Sequence, residues 1–285
     1  MTTTTTVLRY AAFAAAPGGG NPAGVVLGAD LLDDERMQRI ATDVGYAESA
    51  FVTESVVGGD PRAFRLRFFS PGAEVPFCGH ATVATAIVLA GREGEGAFTF
   101  ETPVGPIVID TATVDGTLIA SFTSVEPEVA ALEPGPRAEL LGLLGARDGD
   151  LDIRYPLLVA FAGNWHPIVM LRDRELFDTF RFDPVAVRRL MDAQGWHGTV
   201  SVLFADTGTT FSARNLFPVG TLTEDPATGS AAASLGGYLR LTSAVSVPIR
   251  IEILQGSHVG RPSRIVVEIT AAGGIIVRGT ATEIA

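Results

Sequence analysis

Two loops each lead directly into a run of small and apolar residues, and both carry groups that could bind or react. The first loop, residues 70–80, ends in Cys78-Gly79-His80, and the second, residues 224–230, ends in Thr228-Gly229-Ser230. The backbone N–H groups at a helix N-terminus favour anions. Gly79, Gly229 and Ser230 are therefore candidate ligands for a carboxylate. Ordinary helix capping by Asp225, Thr228 or Ser230 is the alternative interpretation.

Two side chains could move a proton. Glu48 precedes the apolar run Ala50–Val52, and an apolar environment raises the pKa of a carboxyl group toward that of a useful base. His80, at a helix start, is biased toward its neutral form and would suit a hydrogen-bond donor or proton shuttle. A solvated glutamate and a structural histidine are the alternatives.

The composition excludes several classes of enzyme. The chain contains no Lys, which rules out a pyridoxal-phosphate or other lysine Schiff base and a P-loop nucleotidase. Its single Cys, Cys78, rules out an intramolecular disulfide and a racemase with two opposed thiols. No two of the four histidines have metal-ligand spacing, so no metal site is expected.

The other polar candidates are weaker. His166 follows Gly163-Asn164-Trp165, and Asn164 and His166 are possible site residues. His258 is a weaker case, and His197 beside Trp196 is expected at the surface.

Short β-branched and aromatic runs separated by Gly and Pro dominate the elements around these residues, which indicates mostly antiparallel strands. The segments 33–44 and 184–193 have helical periodicity. The segments 80–90 and 228–239 are apolar or small on all sides, which predicts two buried helices. We expect each to be wrapped by a curled sheet.

The two halves repeat one order of elements: a Gly-Asn pair, a strand, a helix, two strands, a loop and a buried helix. We therefore predict an α+β protein of two similar domains related by a pseudo-two-fold, residues 1–120 and 121–277. The stretch 126–149 is interpreted as a linker with a short helix. A site between two such halves is the natural place for a ligand.

The formal net charge of −11 argues against nucleic acid or an anionic membrane surface as the partner. No apolar run reaches the roughly 18 residues of a membrane span, and the N-terminal Thr run has no signal-peptide character. A cytoplasmic location is the expectation.

Five motifs spread over nearly the whole chain resemble those of the phenazine-biosynthesis isomerase-like (PhzF-like) family. They are GNPAGVV (20–26), AESAFV (47–52), RFFSPGAEVPFCGHAT (67–82), EDPATGSAA (224–232) and QGSHVGRPS (255–263). The resemblance implies a diaminopimelate-epimerase-like fold, in which each domain is a curled barrel around a central helix. It also implies that the C-terminal strand, 278–285, returns to the first domain and that the site lies in the cleft between the domains.

The resemblance further implies a cofactor-free isomerase that forms a homodimer and shifts a proton on a dihydro-hydroxyanthranilate-type carboxylate. Glu48 matches the family's acid/base, and His80, Asp225 and Ser230 match its supporting residues. Gly79 and Gly229 match the glycines whose neighbouring amides hold the substrate carboxylate, and Asn21 lies in the first motif.

Two alternatives stay open. Related epimerases have a thiol at the position of Cys78, so an amino- or hydroxy-acid epimerase pairing Cys78 with Glu48 or Asp225 is possible. Burial of Cys78 as a small hydrophobe beside Phe77 is the other interpretation of that residue. A non-catalytic ligand-binding protein on the same scaffold is the second functional alternative.

Overall fold

The computed structural model describes residues 5–219 and 222–284, and it is a mixed α+β protein with the curled sheet that the sequence predicts. Its strands are β1 (Leu8–Ala12), β2 (Asn21–Val26), β3 (Glu48–Ser55), β4 (Ala63–Phe69), β5 (Glu74–Val75), β6 (Gly96–Thr102), β7 (Gly105–Val114), β8 (Thr117–Thr123), β9 (Glu128–Ala131), β10 (Leu158–Phe161), β11 (Trp165–Leu171), β12 (Val200–Ala205), β13 (Thr210–Val219), β14 (Leu222–Asp225), β15 (Ile249–Gln255), β16 (Ser263–Ile269), β17 (Ile276–Gly279) and β18 (Ala281–Glu283). Its helices are α1 (Asp34–Val44), α2 (Gly79–Glu93), α3 (Pro134–Leu143), α4 (Arg174–Thr179), α5 (Pro184–Gln194) and α6 (Gly229–Leu241), with three short 3₁₀ turns at Val57–Gly59, Asp148–Asp150 and Ser257–Val259.

The chain divides into two compact units. The first contains Met1–Phe122 and Arg278–Ala285, and the second contains Thr123–Val277.

In the first unit the strands are ordered β18-β1-β2-β3-β4-β6-β7-β8, with β5 paired to β4. Most pairs are antiparallel. The exceptions, β2 with β3 and β4 with β6, are parallel because a helix connects their members, as a parallel crossover requires.

Helix α2 fills the inside of this sheet and is buried from His80 to Ala90. Its small side chains let strands approach on several sides, and it contacts β1, β2, β3, β7 and β18. The buried hydroxyls of Thr82 and Thr85 donate to the carbonyls of Cys78 and Ala81, one turn earlier, at 2.7 and 2.8 Å. Because these bonds stay within the helix, the polar groups carry no cost of unpaired burial.

A C-terminal segment completes the first unit. Strand β18 pairs antiparallel with β1, from Tyr10↔Glu283 to Ala12↔Ala281. Immediately before it, Thr280 donates its hydroxyl to the carbonyl of Leu118 in β8 at 3.0 Å, while its own carbonyl accepts from the amide of Phe13. One short segment therefore contacts both the first and the last strand of the unit's sheet.

The second unit repeats this plan with β9-β10-β11-β12-β13-β15-β16, and β14 pairs with β13. Helix α6 is buried from Ala231 to Leu239. Gly236 and Gly237 make its close packing possible, since a Cβ at Gly237 would lie 2.3 Å from Pro127 and one at Gly236 would lie 2.7 Å from Ile275. Helices α3, α4 and α5 cover another apolar cluster that contains Leu190 and Trp196.

One sequence expectation needs correction. The segment 126–149 contains the expected short helix, α3, whose Leu140 and Leu141 are buried, but the rest is not a plain linker, because β9 pairs with β10. Pro134 lies at the start of α3, where Pro is favoured. Among the described residues, none of the helices is both long and apolar enough to cross a bilayer.

Candidate active site

Three reactive side chains meet in the first unit. The thiol of Cys78 donates to Glu48 Oε2 at 3.5 Å and lies 3.4 Å from His80 Nδ1. The Nε2 atom of His80 lies 3.5 Å from the same Glu48 oxygen. The sequence analysis singled out all three residues, and the fold brings them together although Glu48 is 30 residues from Cys78.

Two elements hold this cluster in place. Glu48 is the first residue of β3, which runs parallel to β2 with Ala23 opposite Glu48. Cys78 and His80 flank the start of α2, the helix that the sheet encloses. A residue at a strand start and two at a buried helix start are fixed by backbone that packing already holds, so little side-chain freedom remains to be lost on binding.

Burial shifts the pKa of Glu48 and of His80. It raises the pKa of Glu48 above its ordinary value of 4.5, while the hydrogen bond from Cys78 lowers this pKa by a smaller amount. Burial lowers the pKa of His80 to about 4, although its hydrogen bond with the Pro22 backbone acts in the opposite direction. At neutral pH the imidazole is therefore uncharged, and its 3.5 Å contact with Glu48 is not an ion pair.

The spacing of the cluster bears on the reaction type. A two-base epimerase needs its bases on opposite faces of one carbon, each about 3–3.5 Å from it, so the two bases stand about 6–7 Å apart. Glu48 Oε2 and Cys78 Sγ are only 3.5 Å apart and in contact. They therefore reach a substrate from the same side, which disfavours a Glu48/Cys78 epimerase and suits a single acid/base with two supporting groups.

Among the residues that the structure describes, the same three form a group that could hold a metal ion. Their ligand-type atoms all lie within 4.8 Å of one another. Thiol, imidazole and carboxylate are zinc ligands. The hydrogen bond from Cys78 to Glu48 and the contact of Cys78 with His80 account for two of these distances without an ion.

The two central helices, like the outer helix α3, lack the aspartate cap that begins the other three outer helices. Asp33, Asp173 and Asp183 cap α1, α4 and α5 by accepting hydrogen bonds from backbone amides. Cys78 and Thr228, at the N-caps of α2 and α6, make no such side-chain cap. The first amides of α2 and α6 are therefore suited to an anionic ligand, as predicted for Gly79 and Gly229.

In the second unit, Asp225 is tied to the loop that enters α6. Its carboxylate accepts from Thr228 Oγ1 at 2.5 Å, and its backbone carbonyl accepts from Gln255 Nε2 at 2.6 Å. Gln255 also accepts from the Thr228 amide at 3.2 Å. The Gln255 side chain, which is 1% exposed, thus cross-links both ends of the loop.

Ser230, one residue further on, contacts His166. The Ser230 hydroxyl lies 3.2 Å from His166 Nε2, and the imidazole is fully buried. Burial lowers the pKa of His166 to about 4 against a Thr199 backbone contact that raises it, so the ring is neutral at pH 7. His166, which the sequence named only as a possible site residue, therefore touches one of the predicted substrate ligands.

The remaining predicted residues have other surroundings. Asn21 begins β2 and is buried opposite Ala12. Asn164 precedes β11, and its carbonyl accepts from Ser234. His258 contacts Asp178 at 3.2 Å and the ring of Phe177, so it belongs to a different cluster, and His197 is exposed as predicted.

Sequence reasoning missed Thr199, Asn215 and the role of Gln255. Thr199 and Asn215 lie at or in strands, where isolated polar residues among apolar ones were the available signal. Gln255 opens the last of the five motifs, so its position was visible but its contact with the Asp225 loop was not. Whether the groups of the two units act on one substrate stays a prediction.

Comparison with known proteins identifies the chain's relatives. The model of the family described as phenazine biosynthesis-like protein matches residues 10–285. The chain belongs to this family. The trans-2,3-dihydro-3-hydroxyanthranilate isomerase of Pseudomonas fluorescens is 34% identical over 253 residues, covering 88% of this chain and 86% of that protein.

Two further known proteins are similar to this chain over nearly its whole length. The uncharacterized isomerase YfhB of Bacillus subtilis (strain 168) is 32% identical over 280 residues, covering 94% of this chain and 92% of that one. The crystal structure of the phenazine biosynthesis protein, PhzF family, from Bacillus anthracis superposes with a TM-score of 0.83 at 28% identity, covering 99% and 97% of the two chains. The phenazine biosynthesis-like chain described here is therefore an isomerase.

Proposed function

We propose that the chain moves a proton between two carbons of a small carboxylate-bearing substrate, with Glu48 as both base and acid. The observation that carries the proposal is the contact of Glu48 with Cys78 and neutral His80 in a desolvated cluster. The relatives that are named trans-2,3-dihydro-3-hydroxyanthranilate isomerase make that compound the first substrate to test.

The chemistry fits the residue types. A hydrogen on carbon next to a conjugated acid is weakly acidic, and a desolvated carboxylate with a raised pKa is a stronger base than a hydrated one. Once protonated, Glu48 can return the proton to another carbon, so the cycle ends with the enzyme unchanged. Neutral His80 makes a polar contact with the carboxyl group. It adds no positive charge, which would lower the pKa of Glu48 and weaken it as a base.

The direct test is NMR in D₂O with trans-2,3-dihydro-3-hydroxyanthranilate. We expect conversion to an isomer that differs in mass only by any deuterium taken up. The carbon that receives the proton should carry either solvent deuterium or the substrate's own hydrogen. Binding without conversion would favour the non-catalytic alternative. Deuterium exchange at one carbon with inversion and no double-bond shift would favour the epimerase.

The acid limb of the pH profile tests the role of Cys78. Glu48 must be deprotonated to act as base, so kcat/KM should fall as the pH drops through its raised pKa. Cys78→Ala removes the hydrogen bond that lowers this pKa. We therefore expect the limb to move to higher pH in Cys78→Ala.

Cys78→Ser is the matched variant, because its hydroxyl keeps a donor near Glu48. Its limb should stay near that of the wild type. A limb that is unmoved or shifted to lower pH in Cys78→Ala would contradict this account of Glu48.

A further inference from the structure

The side chain of Gln255, at the end of β15, contacts the loop that enters α6 in the second unit. We propose that Gln255 is a positioning residue, which holds the Thr228 hydroxyl so that it donates to Asp225 and thereby fixes the orientation of that carboxylate. The inference rests on the proposed function in one respect, since it takes Asp225 as a residue of the site. The hydrogen bonds of the Gln255 amide carry it.

The first step concerns the orientation of the Gln255 amide. The backbone N–H of Thr228 donates to Gln255 Oε1 at 3.2 Å, and this N–H could not face the NH₂ group instead. The backbone carbonyl of Asp225 accepts from Gln255 Nε2 at 2.6 Å, and this carbonyl could not face the amide oxygen instead. One backbone donor and one backbone acceptor therefore allow a single orientation of the side-chain amide.

The second step concerns the hydroxyl of Thr228. Gln255 Nε2 can only donate, so the Thr228 oxygen is the acceptor in their 3.0 Å hydrogen bond. The single hydroxyl hydrogen of Thr228 is then left for Asp225 Oδ2, which accepts it at 2.5 Å. The relay of hydrogen bonds thus runs from Gln255 through Thr228 to Asp225. These two contacts also explain why Thr228, the N-cap residue of α6, makes no side-chain cap to the helix.

The third step concerns what holds Gln255 itself. Its side chain is 1% exposed, so it cannot exchange these hydrogen bonds for water without leaving its place. The next residue, Gly256, has a φ of +81°, and a Cβ there would lie 2.3 Å from the carbonyl oxygen of Arg261 and 2.5 Å from that of Pro226. The backbone beside Gln255 therefore lies directly against the loop that enters α6, and the relay is anchored on β15 rather than within the loop alone.

The relay can be observed by NMR without substrate. The chain has three glutamines, Gln38, Gln194 and Gln255, so ¹⁵N-glutamine labelling gives three side-chain NH₂ pairs. We expect both Gln255 hydrogens to resonate downfield of those of exposed Gln194, and loss of the pair in Gln255→Met assigns it. Thr228→Val should move one hydrogen of the pair upfield, because the other stays on the Asp225 carbonyl, and Thr228→Ser should move neither. A pair that coincides with that of Gln194, or that Thr228→Val leaves unmoved, would overturn the proposal.

Kinetics test the positioning. We expect Gln255→Met and Thr228→Val each to lower kcat/KM for trans-2,3-dihydro-3-hydroxyanthranilate about tenfold, and Thr228→Ser, which keeps the hydroxyl, to recover most of the loss. Because Gln255 acts through Thr228, the double variant Gln255→Met/Thr228→Val should lose no more than the weaker of the two single variants. Independent effects would multiply instead.

Thr242→Val is the matched control, because the Thr242 hydroxyl lies at the other end of α6 and donates to the Tyr238 carbonyl at 2.8 Å. It should leave kcat/KM unchanged, and the thermal midpoint of each variant identifies a folding defect. Equal losses in Thr228→Ser and Thr228→Val, or losses that multiply in the double variant, would overturn the positioning role. If the wild type converts no substrate, the proposed function fails, and the Gln255 resonances still decide whether the relay exists.

Discussion

Glu48→Gln is expected to reduce kcat by about 10²–10⁴-fold while the protein stays folded. The amide has nearly the same shape as the carboxylate and keeps an oxygen that can accept from the thiol of Cys78. It cannot take a proton from carbon. The measurement is conversion of trans-2,3-dihydro-3-hydroxyanthranilate in D₂O, followed by NMR together with the thermal midpoint of each protein.

Glu54→Gln is the matched control. Glu54 lies on the same strand, β3, but its side chain is 47% exposed and paired with Arg65 at 3.0 Å. Loss of such a surface pair changes stability by under about 1 kcal/mol and should leave turnover intact. Undiminished turnover in Glu48→Gln would remove Glu48 from the mechanism, whereas equal losses in both variants would point to a general effect on the strand.

Arg214→Met is expected to destabilise the second unit by about 3–5 kcal/mol, the largest effect on stability that the structure suggests. The Arg214 and Glu224 side chains are only 5% and 9% exposed and meet at 2.5 Å. Arg214 also donates to the carbonyls of Phe177 and Phe180 at 3.1 and 3.2 Å. Its removal leaves a buried carboxylate without its cation and takes a donor from both carbonyls, although the Phe180 carbonyl still accepts from Arg181 at 3.1 Å.

Urea unfolding followed by tryptophan fluorescence reports on the second unit, because both tryptophans, Trp165 and Trp196, lie in it. Arg264→Met is the control, since Arg264 pairs with Glu252 at the surface and should cost under about 1 kcal/mol. The double variant Arg214→Met/Glu224→Leu should recover part of the loss, as it buries no unpaired charge. A cost for Arg214→Met no larger than that of the control would contradict the account.

The parts of the fold that depend on local pattern could be predicted. The segments around His80 and Ser230 have no polar face, and this alone identified α2 and α6 as central buried helices. Each begins within one residue of its predicted start. The apolar run 64–69 likewise forms β4, from Ala63 to Phe69.

The parts that depend on tertiary contact could not be predicted from pattern. The Pro- and Glu-rich stretch 126–149 resembles a linker by composition, yet β9 finds a partner strand in β10. The parallel pairing of β2 with β3 likewise depends on how α1 packs.

For the candidate site too, the sequence identified residues but did not give the contacts between them. The five motifs named Glu48, Cys78 and His80 through their resemblance to a family, but no pattern in the sequence gives their mutual distances. The link from His166 through Thr199 to Asn215 joins residues 33 and 16 positions apart. Polar residues in apolar strands show no period, so only the folded backbone reveals that they form one network.

The position of Thr280 and β18 near the end of the chain affects how the protein folds while it is being translated. During translation, β1 and β8 of the first unit leave the ribosome long before β18, which follows the entire second unit in the chain. Until then β1 has only β2 as a partner, and its other edge is open to intermolecular pairing. The N-terminal unit therefore receives its last strand only after the entire C-terminal unit has been synthesised, although domains generally fold from the N-terminus onward as they are made.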